Sequence, residues 1–266
     1  MTTTLYSVIS RTLKTSRQRK DNFHFVLEAL LSHLKPSILF DFCSTTPSQL
    51  QQILQDSGHD DVIKVVKLLD DVILVDISHD FLINYSPEII DCSRHLNMPQ
   101  LADSTVIGNY THVFQEMMEA VRLGISPVDL DTLCQQDICL TTIFGMFLQY
   151  PYAYYTSDAG NCLAGVELVV VELGHQTKMS SSGDKKTMVL PSGDKKIMVL
   201  LSGDKKTMVL SSGDKKTMVL PSGDKRDCRT FTSFSVPKLF CPDESVLRDI
   251  ACYVSHRTVI LDSVAM

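Results

Sequence analysis

The mechanistically sharp motifs are missing from this 266-residue chain. There is no Gly-x-Gly-x-x-Gly, no Walker loop, no Gly-x-Ser-x-Gly and no His-Glu-x-x-His, so nucleotide cradling, an elbow serine and a helix-borne zinc site lose their usual carriers. Eight cysteines, at 43, 92, 134, 139, 162, 228, 241 and 252, include no Cys-x-x-Cys pair, so neither a zinc ribbon nor a redox dithiol is signalled. No apolar run approaches the ~18–20 residues of a membrane span. The longest candidate, Ile138 to Tyr155, is interrupted by Gln149 and Pro151. No apolar stretch of the signal-peptide kind follows the first charges, so the cysteines read as reduced thiols of a cytoplasmic or nuclear protein. On that reading the sequons Asn84-Tyr85-Ser86 and Asn109-Tyr110-Thr111 are chance matches. No cofactor is indicated, and no partner can be named.

Acidic residues are absent from positions 1–20, which carry Arg11, Lys14, Arg17, Arg19 and Lys20 among eight Ser/Thr. Leu5, Val8, Ile9, Thr12 and Leu13 fall on one helical face. Such a segment reads as a flexible basic N-terminus, with a mitochondrial transit peptide as the alternative. Residues 181–226 hold another five net positive charges, so setting both segments aside leaves −16 on the remaining 200 residues. A body that acidic repels phosphate backbones, which makes nucleic-acid binding by the folded part unlikely.

Residues 181–226 say nearly one thing. Gly-Asp-Lys-Lys recurs at 183, 193, 203 and 213 and ends as Gly-Asp-Lys-Arg at 223, with Met-Val-Leu between copies. Ten residues is short for a folding repeat, which typically takes ~20–50. Three readings compete: stacked hairpins with Ser-Gly-Asp turns, a basic binding tract, and an expanded, largely disordered passenger. Near-identity of the copies favours the passenger, because a packed core would give inner and outer copies different neighbours. An Asp beside each Lys pair, and no aromatic residue, weaken the binding tract. The apolar stretches remain an aggregation hazard. Val166–Leu173 and Thr230–Val236 read as flanking strands that a short linker would join into a hairpin. Lengthening that loop from ~8 to ~54 residues costs roughly 1.5–2 kcal/mol, which a domain can absorb.

The remainder predicts an α/β fold: a single domain over 21–266, its mixed β-sheet flanked by helices, interrupted by the insertion at 181–226. Helical spacing covers Phe23–Leu34. Ser37–Cys43 reads as a buried strand. Thr46-Pro47 caps and opens a helix running to Gly58. Val62–Leu69 and Val72–Ile77 suggest a hairpin turning at Asp70-Asp71. Helices are expected around Pro87–Leu96, over Asn109–Leu123 closed by Gly124, and over Pro127–Leu148 with a break near Gly145. Tyr152–Tyr155 reads as a strand, turning at residues 158–161. A helix over Ser245–His256 and a strand at Thr258–Leu261 complete the pattern.

Polar candidates stand out against plainer alternatives. Asp41 ends a predicted strand, where carboxylates often line crevices; a carboxylate capping the Thr46 loop is the plainer explanation. Asp76, His79 and Asp80 form the tightest cluster, suited to acid–base or metal-assisted work, although Ser-His-Asp also makes an ordinary helix cap. His59-Asp60-Asp61 is a weaker version past a helix end. Cys162 follows a turn and is a candidate nucleophile, but lacks a helix start or an orienting histidine in the sequence. Tyrosines 150, 152, 154 and 155 could line a ligand site, although strand alternation sends them to both faces.

The segments "LKPSILFDF", "LQYPYAYYTSDAGNCLAGVELVVVEL" and "TFTSFSVPKL" resemble the uncharacterised family named after chromosome 1 open reading frame 74. Tyr-Pro followed by Asn-Cys-Leu is the most specific piece. The resemblance covers most of residues 22–266 apart from the repeat. It implies a single intracellular domain and carries over no activity, cofactor or catalytic residue. Two functions remain open: a protein- or ligand-binding domain, or a hydrolase whose polar centre draws on Asp41, Asp76, His79 and Asp80. The hydrolase requires those side chains to converge.

Overall fold

A computed structural model describes residues 4–78, 87–134, 138–157, 161–163, 166, 168–176, 196–201, 207–211, 218–220 and 228–240. The chain is α/β, with helices and mixed sheets, and divides into two compact units, residues 1–164 and 165–266.

In the first unit, α1 (Leu5–Thr12) and α2 (Arg17–Leu31) take up most of the segment expected to be a flexible tail. The apolar face of α1 is what orders it: Val8 and Ile9 are fully buried against Phe23, Leu27, Leu50 and Ile53. Arg11 lies exposed and meets Asp56 at 2.8 Å. Helix α3 (Pro47–Ser57) starts as its sequence dictates. Thr46 Oγ1 accepts from the Gln49 N–H, Gln49 Oε1 accepts from the Thr46 N–H, and Gly58 ends the helix at φ 73°.

The first sheet runs β1 (Ser37–Leu39), β3 (Asp71–Asp76), β2 (Ile63–Leu68), β6 (Val128–Asp129). All its pairs are antiparallel except β2 with β6. Side chains alternate across it, so Val66, Leu68, Ile73 and Val75 enter one core while Ile63, Val65, Leu74 and Ile38 enter another. The three N-terminal helices cover the second core. The first core is closed by α4 (Ser104–Leu123), through Phe114, Met117 and Val121, and by α5 (Leu140–Phe147), through Ile143, Met146 and Phe147. A sheet covered on both faces explains why Ile63, Val65, Val66 and Leu68 of β2 are all buried, while Lys64 and Lys67 remain only half-buried.

A second sheet holds β4 (Glu88–Asp91) between β5 (Gln100–Leu101), antiparallel, and β7 (Tyr152–Tyr155), parallel. This corrects the helix expected over Pro87–Leu96: Ile89 and Ile90 gain full burial and a parallel partner, which a short isolated helix cannot supply. The helix expected over Pro127–Leu148, with a break near Gly145, is also corrected. Val128 pairs with Val66, residues Asp131–Cys134 make one 3-10 turn, and α5 begins only at Leu140. Gly145 does not break α5; a Cβ there would sit 3.2 Å from Ala153 Cβ, so glycine permits close packing of helix on strand. Gly124 closes α4 in extended conformation, where a Cβ would meet the Ala120 carbonyl at 2.6 Å.

The second unit is a sheet ordered β11 (Met218–Leu220), β10 (Thr207–Ser211), β9 (Lys196–Leu201), β8 (Leu168–Gln176), β12 (Cys228–Pro237). The strands flanking the repeat, β8 and β12, are antiparallel neighbours. Three strands come from the repeat itself: Val199 faces Met208, and Met208 faces Val219. These successive antiparallel pairings, β9 with β10 and β10 with β11, are the hairpin arrangement weighed above. The elements expected over 245–261 lie outside the described residues.

Candidate functional site

Asp41 and Asp76 do not meet. In the antiparallel register Ser37 faces Val75, Leu39 faces Ile73, and the Asp76 N–H donates to Pro36 O. Asp41 is thus level with Asp71, five residues and ~17 Å along the sheet from Asp76. Asp41 is exposed, and its charge acts instead on the buried Lys35. Burial pulls the Lys35 ammonium down to about 8, and Asp41 only partly offsets that cost. His79 and Asp80 lie outside the described residues.

Asp76 is buried, at 2 % exposure, and its oxygens are taken. Oδ1 accepts from the Ser78 N–H and hydroxyl, and Oδ2 lies 2.5 Å from His33 Nδ1. His33 reaches it from an unusual backbone. The end of α2 closes with the His33 N–H on Leu30 O and the Leu34 N–H on Ala29 O, which puts His33 in the left-handed position where glycine is the usual residue. Its φ is 55°, a conformation costing roughly 1–2 kcal/mol in a side-chain-bearing residue. The imidazole–carboxylate contact offsets that cost.

A second constellation gathers where β4 and β7 end side by side. The Cys92 N–H continues the parallel ladder by donating to Tyr155 O. Cys139 precedes α5 as its cap residue, without a side-chain cap bond. Its N–H donates to Tyr110 Oη at 2.7 Å, and its sulfur lies 3.8 Å from both Tyr154 O and Thr156 Oγ1. The buried Thr142 hydroxyl donates to Tyr154 O at 2.6 Å, tying the first turn of α5 to β7. Tyr110 and Tyr155 pack edge to face at 5.6 Å. Below them, Asp91 Oδ1 accepts from the Ser93 N–H and hydroxyl, and Ser93 Oγ accepts from the Ser157 N–H.

The electrostatics separate the thiols. Burial raises Cys92 to about 12, helped by the neighbouring charges of Cys162, Asp91 and Cys139. For Cys139 burial also pushes upward, but hydrogen bonding with Thr142 and Thr156 outweighs it, and the thiol is held below its ordinary value. A partly exposed thiol at a helix start with a lowered pKa is the form in which cysteine is nucleophilic. Cys162, the sequence candidate, is also partly exposed and stands next to Cys92, its N–H donating to Cys92 O at 2.9 Å. Of the four tyrosines, Tyr154 and Tyr155 meet this end through a carbonyl and a ring respectively.

Cys139, Cys92, Tyr110 and His33 carry geometry that sequence reasoning missed. The signal for Cys139 was its place just before an apolar helical run, obscured by the expectation of helix from Pro127 up to a break near Gly145. Among the described residues, no group of three or more His, Cys, Asp or Glu side chains is arranged to hold a metal ion. No described helix is long and apolar enough to cross a membrane.

No curated protein and no solved structure matches the chain. A family model, described as a domain of unknown function, matches residues 5–192, beginning at the first residue of α1 and spanning both constellations. The chain belongs to that family, the domain of unknown function DUF4504.

Proposed function

We propose that the chain is a binding domain whose small polar ligand sits at the carboxyl ends of β4 and β7, against the start of α5. One observation carries this reading: Cys139, Thr142, Thr156, Tyr110 and Tyr155, from three separate elements, gather where β4 and β7 end. Carboxyl ends of parallel strands are where open α/β sheets place ligands, since the following loops diverge there and leave a crevice. Thr and Tyr hydroxyls supply directional hydrogen bonds, the two rings supply an apolar wall, and the Cys139 thiol is the group most sensitive to an occupant. The narrower likeness to the chromosome 1 open reading frame 74 family belongs to this proposal and adds no site residue.

The test is thermal unfolding of the full chain with and without the small-molecule fraction of a cell extract. A rise in Tm that disappears in Tyr155→Ala and Thr142→Val supports the site. A rise that survives both substitutions places the ligand elsewhere.

A second reading, hydrolysis, is favoured by one observation, the strained His33 held on the buried Asp76 carboxylate. It predicts turnover of an activated ester, p-nitrophenyl acetate, that His33→Gln abolishes while the fold survives. Turnover unchanged in that variant removes this reading.

A further inference from the structure

Two of the free thiols stand opposite one another across a backbone pairing that the ligand reading does not use. After β4, Ser93 bridges Asn161 in antiparallel sense, and the Cys162 N–H donates to Cys92 O at 2.9 Å. That register sets Cys92 directly across from Cys162. Residues directly opposite in an antiparallel pair send their side chains to the same face, with Cα atoms about 4.5–5.5 Å apart. Disulfides span Cα separations of roughly 4.4–6.8 Å, so this pair needs no backbone rearrangement to join. Both are free thiols; Cys92 is buried and Cys162 partly exposed. Among the charged neighbours that hold Cys92 protonated, Cys162 is the foremost.

We infer that Cys92 and Cys162 form a reversible disulfide, making the end of β4 a thiol-redox site. The reaction balances with a low-molecular-weight disulfide as the oxidant. The more accessible Cys162 thiolate attacks one sulfur of that disulfide, forming a mixed disulfide and expelling one small thiolate, which takes up a proton. Cys92 then loses its proton and attacks the Cys162 sulfur, and the second small thiol leaves. Two protein thiols are oxidised, one external disulfide is reduced to two thiols, and two protons pass to them. The high proton affinity of Cys92 makes this second step slow. It also makes Cys92 a poor leaving group, so the bond, once made, resists reversal by weak thiols. Cys139 is not the partner: its sulfur lies over the end of β7, 3.8 Å from Tyr154 O and Thr156 Oγ1, and no backbone pairing sets it opposite Cys162. The bond would fasten the segment after β7 to the end of β4. This inference is independent of any ligand.

The experiment equilibrates the full chain with oxidised glutathione, alkylates the remaining thiols, and maps cysteine peptides by mass spectrometry. A peptide pair joining Cys92 to Cys162, lighter by two hydrogens than the separate thiols and lost on strong reduction, is the expected result. Cys162→Ser should abolish it, Cys139→Ser should leave it intact, and Cys92→Ser should leave glutathione stranded on Cys162. If Cys92→Ser does not fold, Cys162→Ser decides, since its position is partly exposed. Glutathione persisting on Cys162 in the unsubstituted chain, both thiols still alkylated, or Cys162 joined to any other cysteine would overturn the inference.

Discussion

Replacing Ile9 by alanine separates a structural N-terminus from a detachable one. Ile9 is fully buried, in a cluster with Val8, Phe23, Leu27, Leu50 and Ile53. The substitution removes three carbons, worth about 2.4 kcal/mol at ~0.8 kcal/mol per buried methylene. The cavity left between α1, α2 and α3 adds to this, so the expected loss is about 3 kcal/mol, within the ~2–5 kcal/mol found for such truncations. Arg11→Ala is the internal control. It removes the ion pair with Asp56 at 2.8 Å, but Arg11 is 65 % exposed, and such pairs contribute at most about 1 kcal/mol. Urea unfolding followed by far-UV circular dichroism reads both. The packing account expects a much lower midpoint for Ile9→Ala, an unchanged slope, and a small shift for Arg11→Ala. Equal, small losses from the two would mean that α1 contributes nothing to the core, and the transit-peptide reading would regain its footing. A segment that is cleaved on import cannot carry a domain's stability.

Other consequences follow from the same structure. Lys35 holds its proton to only about 8 in the folded state against about 10.5 unfolded, so the unfolded chain binds more protons between those values. Its cost, about 3 kcal/mol by that difference, is fully present below pH 8 and relieved as pH rises toward 10.5. Lys35→Met should therefore raise Tm at pH 7, and its advantage over the parent chain should shrink by pH 10; a constant advantage would contradict the buried-charge account. Asp76→Asn weakens the contact with His33 and the bonds from Ser78, and should cost about 3 kcal/mol in denaturant unfolding. His33→Gly relieves the left-handed backbone yet should still destabilise; a gain in stability would show the pair contributes less than the strain. Deleting residues 181–226 should leave the unfolding of the first unit unchanged to within about 0.5 kcal/mol, because both its cores, among the described residues, draw on positions no later than Tyr155. A large loss in calorimetry would make the repeat part of that core.

Local signals were legible wherever local chemistry decides. The Thr46-Pro47 start, the Gly58 stop and the β2–β3 hairpin each follow from residues within a few positions of one another. The failures share a cause. Glu88–Asp91 has the length of one helical turn, and it takes partners on both sides, one of them parallel and sixty-odd residues downstream, to make it a strand. Asp131–Cys134 and α5 look continuous until Val128 pairs with Val66. Those two misreadings hid the cluster at the strand ends, because Cys92 and Cys139 are notable only once β4 ends just before one and α5 begins just after the other. The carboxylates drew attention for the opposite reason: Asp41 and Asp76 are conspicuous in sequence, and antiparallel register sends them to opposite ends of one sheet. In the same way Leu5, Val8 and Ile9 show an amphipathic face, but a sequence does not say whether that face meets a receptor, a membrane or its own core.

The most direct test of the ligand site is the rate at which iodoacetamide alkylates Cys139, followed peptide by peptide in the full chain with and without the small-molecule extract fraction. With the extract absent, Cys139 should react at lower pH than Cys92, since its thiolate is the one stabilised. With the extract present, its rate should fall while that of Cys43, which lies outside this cluster, stays constant. Protection of Cys139 alone places a ligand at the ends of β4 and β7. An unchanged Cys139 rate under a fraction that raises Tm would put the binding site elsewhere and contradict the account.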